Sequence, residues 1–509
     1  MNSPFFLTNG WVRLLLVFSF WAVVATTVRA DVAPAPPFTP NAVLQRDKPI
    51  PVWGTADAGE SVTVRFAGQS VETNADAQGR WRVELTAMAA RSEPDVLVIE
   101  GKNTVTCENV VVGEVWLVSG QSNMEWVVRE TKDAALDLPA AEAFPLIRHL
   151  KIARQVADAP ILSAQGRWEV ASPATTAEFS AVGYYFATAI HRVLRVPVGI
   201  VNCTWGGTRI EAWMDPAALQ SPDFASVHTD WQTSLAAYLG ANAKYEADRA
   251  AWTAEKDAAA SEQRPFITRA PRAPWGPGHH ATPSGLYNGM VAPLVPYALR
   301  GVLWYQGENN AGQPTLYERL FPAMIIGWRA QFGQGDFPFY WAQLSSYQAE
   351  SNWAWIREAQ SHALSLPATG QAVTLDIGDA GDVHPRNKRD VGGRLARIAL
   401  ARTYDQAIVD RGPSFAKAER EGAALRVSFD VGVAGLRATI APLSGFEVAG
   451  ADQLFKPADA KLEANGTVLV SHPQIMEPVA VRYAWSSAPV VGLGNNEGLP
   501  VPPFRSDHW

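Results

Sequence analysis

Val115-Trp116-Leu117-Val118-Ser119-Gly120-Gln121-Ser122-Asn123-Met124 is the stretch that decides the fold. Its first five residues form a short apolar run suited to a strand buried on both faces. Gly120 breaks the run, and Ser122 stands where a helix should begin. A strand that passes through a glycine into a helix lifts the serine hydroxyl to the top of a sheet. It also aims free backbone N–H groups at whatever that hydroxyl carries. A nucleophilic serine needs such donors, because its intermediate holds negative charge on oxygen. The same placement suits a plain helix cap, and from this stretch alone the two readings weigh equally.

Residues 198–202, 301–305, 339–344 and 372–376 are further apolar runs of this kind, with helical periodicity over 182–194, 316–331 and 388–404. Strands alternating with helices predict an α/β fold, a parallel sheet flanked by helices on both faces. Ligands of such sheets bind at the carboxyl ends of the strands, where the chemically suggestive motifs of this chain fall. An insertion over about 215–283 interrupts the pattern. Its middle, 230–262, is rich in Ala, mixed in charge and free of glycine after Gly240, which predicts an exposed helical hairpin or one long helix. Such an insertion either shapes a substrate cleft or is an inert excursion.

Residues 31–110 read as short strands at 49–53, 61–66, 81–85 and 96–99, parted by turns such as Asp57-Ala58-Gly59. Strand texture returns over 412–509, at 425–429, 437–440 and 468–470. The chain therefore divides into an N-terminal β region (31–110), an α/β domain (111–411) and a C-terminal β region (412–509). The flanking regions are expected to be accessory β-sandwiches, either separate domains or packed on each other, the latter favoured because neither has many long strands to bury. Three units suit 509 residues at ~100–200 per domain.

Arg13 ahead of the apolar run 14–24, followed by Val28-Arg29-Ala30, has the make-up of a cleaved signal peptide over 1–30. The mature chain is thus expected to be exported, to the periplasm or outside the cell. No later stretch approaches ~18 uninterrupted apolar residues, so no membrane partner is expected after cleavage. A net charge of −7 with no basic block argues against nucleic acid. Cys107 and Cys203 are the only cysteines; pairing between them stays open, but each lies beside a predicted buried strand and is favoured as a free thiol. No CxxC, HExxH or EF-hand loop occurs, so neither a metal nor another cofactor is expected. The His279-His280 pair lies in a Pro/Gly-rich loop and reads as solvated. The sequence specifies no oligomeric state.

The second chemical signal is Asp376-Ile377-Gly378-Asp379-Ala380-Gly381-Asp382-Val383-His384-Pro385. Serine at its free pKa is a poor nucleophile and needs a base, itself oriented by a carboxylate. Pro385 restrains His384 to an extended backbone, where positions two apart face the same side, so Asp382 is placed to hold the imidazole. Of nine histidines, only His384 follows a core strand with a carboxylate so placed. Two more loops, Thr204-Trp205-Gly206-Gly207-Thr208 and Gln306-Gly307-Glu308-Asn309-Asn310, follow predicted strands and offer close backbone approach and amide donors. Four polar loops at successive strand ends make a hydrolase the best reading of the set.

The segments Gly120-Gln121-Ser122-Asn123-Met124, Trp205-Gly206-Gly207-Thr208, Trp304-Tyr305-Gln306-Gly307-Glu308 and Asp382-Val383-His384-Pro385 resemble the successive blocks of the SGNH hydrolase superfamily. More narrowly, they resemble its sialate O-acetylesterase branch. Val43-Leu44-Gln45-Arg46-Asp47, Trp355-Ile356-Arg357-Glu358-Ala359-Gln360 and the closing residues 497–509 extend the likeness over nearly all of the mature chain. The resemblance implies an SGNH-type sheet and a serine esterase that removes acetyl groups from a carbohydrate. It implies Ser122 as nucleophile, His384 as base and Asp382 as the orienting acid. The oxyanion would be held by backbone N–H groups of Ser122 and of Gly206 or Gly207, with a side-chain amide from Gln306 or Asn309. The wider superfamily usually places the acid three residues before the His; here that position is Gly381, which keeps Asp376 and Asp379 open beside Asp382.

Among 19 tryptophans, Trp126, Trp353 and Trp355 are the candidates for exposed sugar-stacking faces. An acetylated plant polysaccharide such as xylan or xyloglucan, or sialic acid, fits as substrate. Two alternatives stand beside this. One is a secreted carbohydrate-binding protein with an inactive core, suited by the β regions and the tryptophans. The other is an SGNH lipase or thioesterase, which would favour a broad apolar lid where this insertion is polar.

Overall fold

The computed structural model describes residues 31–509; the signal peptide read over 1–30 lies outside the described residues. Strands β1 (Ala33–Pro34), β2 (Val43–Gln45), β3 (Ile50–Thr55), β4 (Ser61–Phe66), β5 (Gln69–Asn74), β6 (Arg80–Leu85) and β7 (Arg91–Glu100) precede β8 (Thr104–Gly120). Alternation sets their faces: β6 buries Trp81, Val83 and Leu85 and exposes Arg80, Arg82 and Glu84. Strand β8 is 17 residues long and fully buried from Val110 onward. Its N-terminal part pairs with β7 and β2. It crosses residue 110 without a break, so the N-terminal strands and the central sheet share one strand and one apolar core.

The central sheet adds β9 (Ile147–Ile152), β10 (Gly166–Val170), β11 (Val198–Thr204), β12 (Gly301–Tyr305), β13 (Phe339–Ala342) and β14 (Thr369–Ala372), in the order β10-β9-β11-β8-β12-β13-β14. Pairing is parallel except for β10, which runs antiparallel on β9 at the edge. The sheet is therefore mixed, not purely parallel. The sequence reading misses β9 and β10 because Arg148 and His149, both buried, interrupt the apolar run of β9. It also places the last strand too late: β14 ends at Ala372, and Leu375–Ile377 is a short 3-10 turn.

The helices are α1 (Ser122–Glu125), α2 (Ala134–Ala140), α3 (Ala181–Leu194), α4 (Pro216–Leu219), α5 (Ala225–Ser261), α6 (Pro314–Phe332), α7 (Ala354–His362) and α8 (Lys388–Arg402). Helix α3 packs on α8, and α6 on α7. The α3–α8 contact is close because Gly392 lies against α3, where a Cβ would meet Val182 O at 2.7 Å. The insertion is one 37-residue helix, α5, with only Val227 and Ala259 buried. No helix among the described residues is long and apolar enough to cross a membrane. Cys107 and Cys203 are both free and buried.

Residues 412–509 form separate antiparallel sheets. One holds Ser414–Glu421, Ala424–Asp430, Val468–Ser471 and Asp459–Leu462; another holds Lys456–Pro457, Phe446–Ala449, Ala480–Tyr483 and Phe504–Arg505. The expectation that the two β regions pack together gives way to a different arrangement. Among the described residues, the hydrogen bonds and ion pairs that anchor this C-terminal unit run to the α/β domain. Arg357 on α7 bonds Ser486 O and Ser487 O, Arg505 pairs with Glu358, and Arg397 on α8 pairs with Glu497. The apolar cluster of the unit takes in Leu375, just beyond β14, and no residue of 31–110.

Candidate active site

Strand β8 delivers Ser122 to the carboxyl edge of the sheet. Gly120 has φ +129°, and a Cβ there would fall 2.2 Å from Tyr305 O on the neighbouring β12, so only glycine passes this turn. Ser122 then opens α1. Its Oγ lies 2.8 Å from Nε2 of His384, which the loop after β14 carries in from the other side. With the imidazole proton on Nδ1, Ser122 donates to Nε2, the geometry of a nucleophile and its base. Trp126 stacks on the His384 ring at 5.0 Å and 22° between planes, which fixes the ring from one face.

Three carboxylates were open as the orienting acid. Asp376 is spent on a bidentate pair with Arg394, both contacts at 2.6 Å. Asp379 accepts the N–H of Gly381. Asp382 faces the imidazole, with Oδ1 3.9 Å from Nδ1, beyond hydrogen-bond reach; the same oxygen accepts the backbone N–H of His384 at 2.9 Å. Asp382 thus fixes the loop and acts on the ring through its charge. Burial and the neighbouring Lys388 ammonium lower the pKa of His384, against the opposing charges of Asp382 and Glu130.

Among the described hydrogen bonds, the N–H groups of Ser122 and Gly207 have no protein acceptor. Asn309, exposed at the rim, gives one amide proton to Gly207 O at 2.8 Å and keeps the second.

A profile of the carbohydrate esterase family described as sialic acid-specific acetylesterase matches residues 112–237 and 273–401. A crystal structure of a carbohydrate acetylesterase from Xanthomonas citri superposes with a TM-score of 0.79 at 37% identity, over 94% of this chain and 100% of that one. The chain belongs to the sialic acid-specific acetylesterase family. The sialate O-acetylesterase of Rattus norvegicus is 29% identical over 89% of this chain and 90% of its own length. That of Homo sapiens is 28% identical over 70% and 68%. Membership makes the chain a carboxylic ester hydrolase.

In this acetylesterase-family site, several expected residues stand elsewhere. Gln306 is fully buried, and its amide nitrogen donates to Thr208 O and Asn310 Oδ1, so it braces the loops from behind. The N–H of Gly206 is taken by Glu125 Oε2 at 2.9 Å, which leaves Gly207 as the free donor of that loop. Trp353 is only 4% exposed and packs on Tyr347. Trp355 is held between Trp485 and Arg505 against the C-terminal unit, away from Ser122. Of the three candidate tryptophans, only Trp126 reaches the site. The histidines of the 279–280 pair are half-buried instead of solvated, their rings 4.2 Å apart, with His280 against Trp205.

The sequence reading also misses the groups beneath and beside the pair. Lys388, fully buried on α8, donates to Asn123 Oδ1 at 2.5 Å, and Asn123 Nδ2 donates to Glu308 Oε1 and to Val383 O. Glu125 bridges Gly206 to Arg154. The signal for the first group was available: Asn123 adjoins Ser122, and Lys388 follows His384 by four residues and opens α8.

Proposed function

We propose that this esterase removes O-acetyl groups from a carbohydrate through an acetyl-enzyme on Ser122. The observation that carries the reading is the 2.8 Å contact between Ser122 Oγ and His384 Nε2 at the mouth of the sheet. Ser122 Oγ attacks the acetyl carbonyl carbon while its proton passes to Nε2. The oxyanion then accepts from the N–H groups of Ser122 and Gly207 and from the Asn309 amide. Collapse breaks the ester bond, and the imidazolium returns its proton to the departing sugar oxygen. Water, deprotonated by the same Nε2, attacks the acetyl carbon; the bond to Ser122 Oγ then breaks as the imidazolium returns the proton to Oγ, which releases acetate. Asp382 stabilises the imidazolium by charge. The inactive, sugar-binding alternative has no use for this Ser–His contact.

Residues 111–411 serve in this reading as the catalytic domain, with 31–110 and 412–509 as accessory β regions, and cleavage of 1–30 exports the enzyme. The substrate is an acetylated polysaccharide such as xylan or xyloglucan, or an acetylated sialic acid. Acetate release from a panel of acetylated sialic acids, xylan and xyloglucan tests this, with Ser122→Ala as control. Release from one class that vanishes in the variant is the expected result. Release that persists at the wild-type rate in the variant would remove Ser122 from the mechanism.

A further inference from the structure

Beside Ser122 lies a run of rings that the chemistry above does not use. Trp205 adjoins Gly206, whose Cβ position would fall 3.2 Å from Ser122 Cβ, so the run starts at the nucleophile. Trp205 packs on His280 at 5.6 Å, and His280 on His279 at 4.2 Å. Farther along the same two loops, the guanidinium of Arg209 lies over the Trp275 ring at 5.4 Å, and Trp231 of α5 lines the same cleft. All of these rings are half-buried, so each keeps surface open to solvent.

The two loops are held as one surface. The N–H of Ser284 bonds Glu211 O, and Gly276 lies so close to Tyr238 of α5 that a Cβ would enter its ring at 2.1 Å. The insertion helix therefore supports the far end of the strip. Arg209 is three residues from Gly206, at most about 11 Å of extended chain. The strip thus begins at the reacting serine and runs over the span of a short sugar chain.

Its electrostatics narrow the ligand. Arg154, over Trp205, is paired with Glu125, and Arg209 is paired with Glu211 at 3.4 Å. Both cations along the strip are neutralised, which gives an anionic sugar no unpaired charge to meet there. Aromatic faces bordered by paired charges suit neutral pyranose rings, whose C–H faces pack on the rings while hydroxyls meet the charged groups.

We infer that this strip, from Trp205 to Trp275 and Trp231, is a subsite for neutral sugar residues that flank the acetylated one. The enzyme then reads an oligosaccharide chain instead of a free monosaccharide, an inference that rests on the esterase reading above.

The test compares kcat/KM for 4-nitrophenyl acetate, an acetylated neutral monosaccharide and an acetylated neutral oligosaccharide, in wild type, Trp275→Ala and Trp275→Phe. Wild type should favour the oligosaccharide over the monosaccharide. In Trp275→Ala the ratio of oligosaccharide to 4-nitrophenyl acetate kcat/KM should fall about tenfold, mostly through KM, and Trp275→Phe should restore most of it. A loss shared equally by all substrates would make Trp275 merely structural. No preference for chain length in wild type would overturn the subsite while leaving the esterase reading intact. Failure of wild type to hydrolyse any of the three would sink the esterase reading, and the subsite with it.

Discussion

Lys388 sets the electrical environment of the candidate base. Burial pushes its ammonium down to about 7, with the charges of Glu308 and Asp382 acting the other way. It stays tied to Asn123, which also bonds Glu308 and the carbonyl of Val383, the residue before His384. Burial of the His384 ring disfavours imidazolium most, and the positive charge of Lys388 acts in the same direction. The base must be neutral to accept the Ser122 proton, so a lowered pKa keeps it competent below its ordinary value of ~6.5. Lys388→Met removes the repelling charge, so the acid limb of kcat/KM on 4-nitrophenyl acetate should move to higher pH. An unmoved limb in a folded variant would deny Lys388 this role. Ser122 and His384 were legible because each stands next to backbone that betrays its place, a glycine after a buried strand and a proline after a loop. Gln306 and Trp353 were not, because the direction of a side chain depends on packing partners far away in the sequence.

Helix α7 shows how one element can join two parts of the fold. Arg357 is completely buried, and burial lowers its pKa to about 9. Its guanidinium donates to the carbonyls of Leu344, Ser345, Ser486 and Ser487, all at 2.7–2.8 Å. Four carbonyls in that fan match a planar fork and do not match an ammonium. Arg357→Lys should therefore leave buried acceptors unpaired and cost about 2–4 kcal/mol. Limited proteolysis should then release residues 412–509 faster than from wild type; equal rates would show that the fan does not hold this unit. The sequence singled out 355–360 only as a likeness to a family, because nothing in the local pattern reveals carbonyls brought in from 130 residues away. Apolar runs found most of the central strands, whereas β9, with buried Arg148 and His149, carried no such signature.

At the scale of the molecule, β8 and Glu114 bind the N-terminal strands to the central sheet. Glu114 is fully buried between Arg46 of the N-terminal region and Arg300 ahead of β12. Burial alone would raise its pKa, but the two guanidinium partners hold it below the ordinary carboxylate value. Composition and strand rhythm suggest three regions along the chain. What they could not reveal was that a single strand runs through the first boundary, since a continuing strand leaves no turn signal behind. On this frame the edge of β8 presents Ser122 to His384, and the proposed mechanism requires that this serine become acetylated in turnover. Acid quench during steady-state turnover of an acetylated substrate, followed by peptide mass spectrometry, measures that directly. An acetyl group on Ser122 in wild type, and on no peptide of Ser122→Ala, is the expected result. Full turnover with no acetylated Ser122, or an acetyl group trapped on another residue, would contradict it.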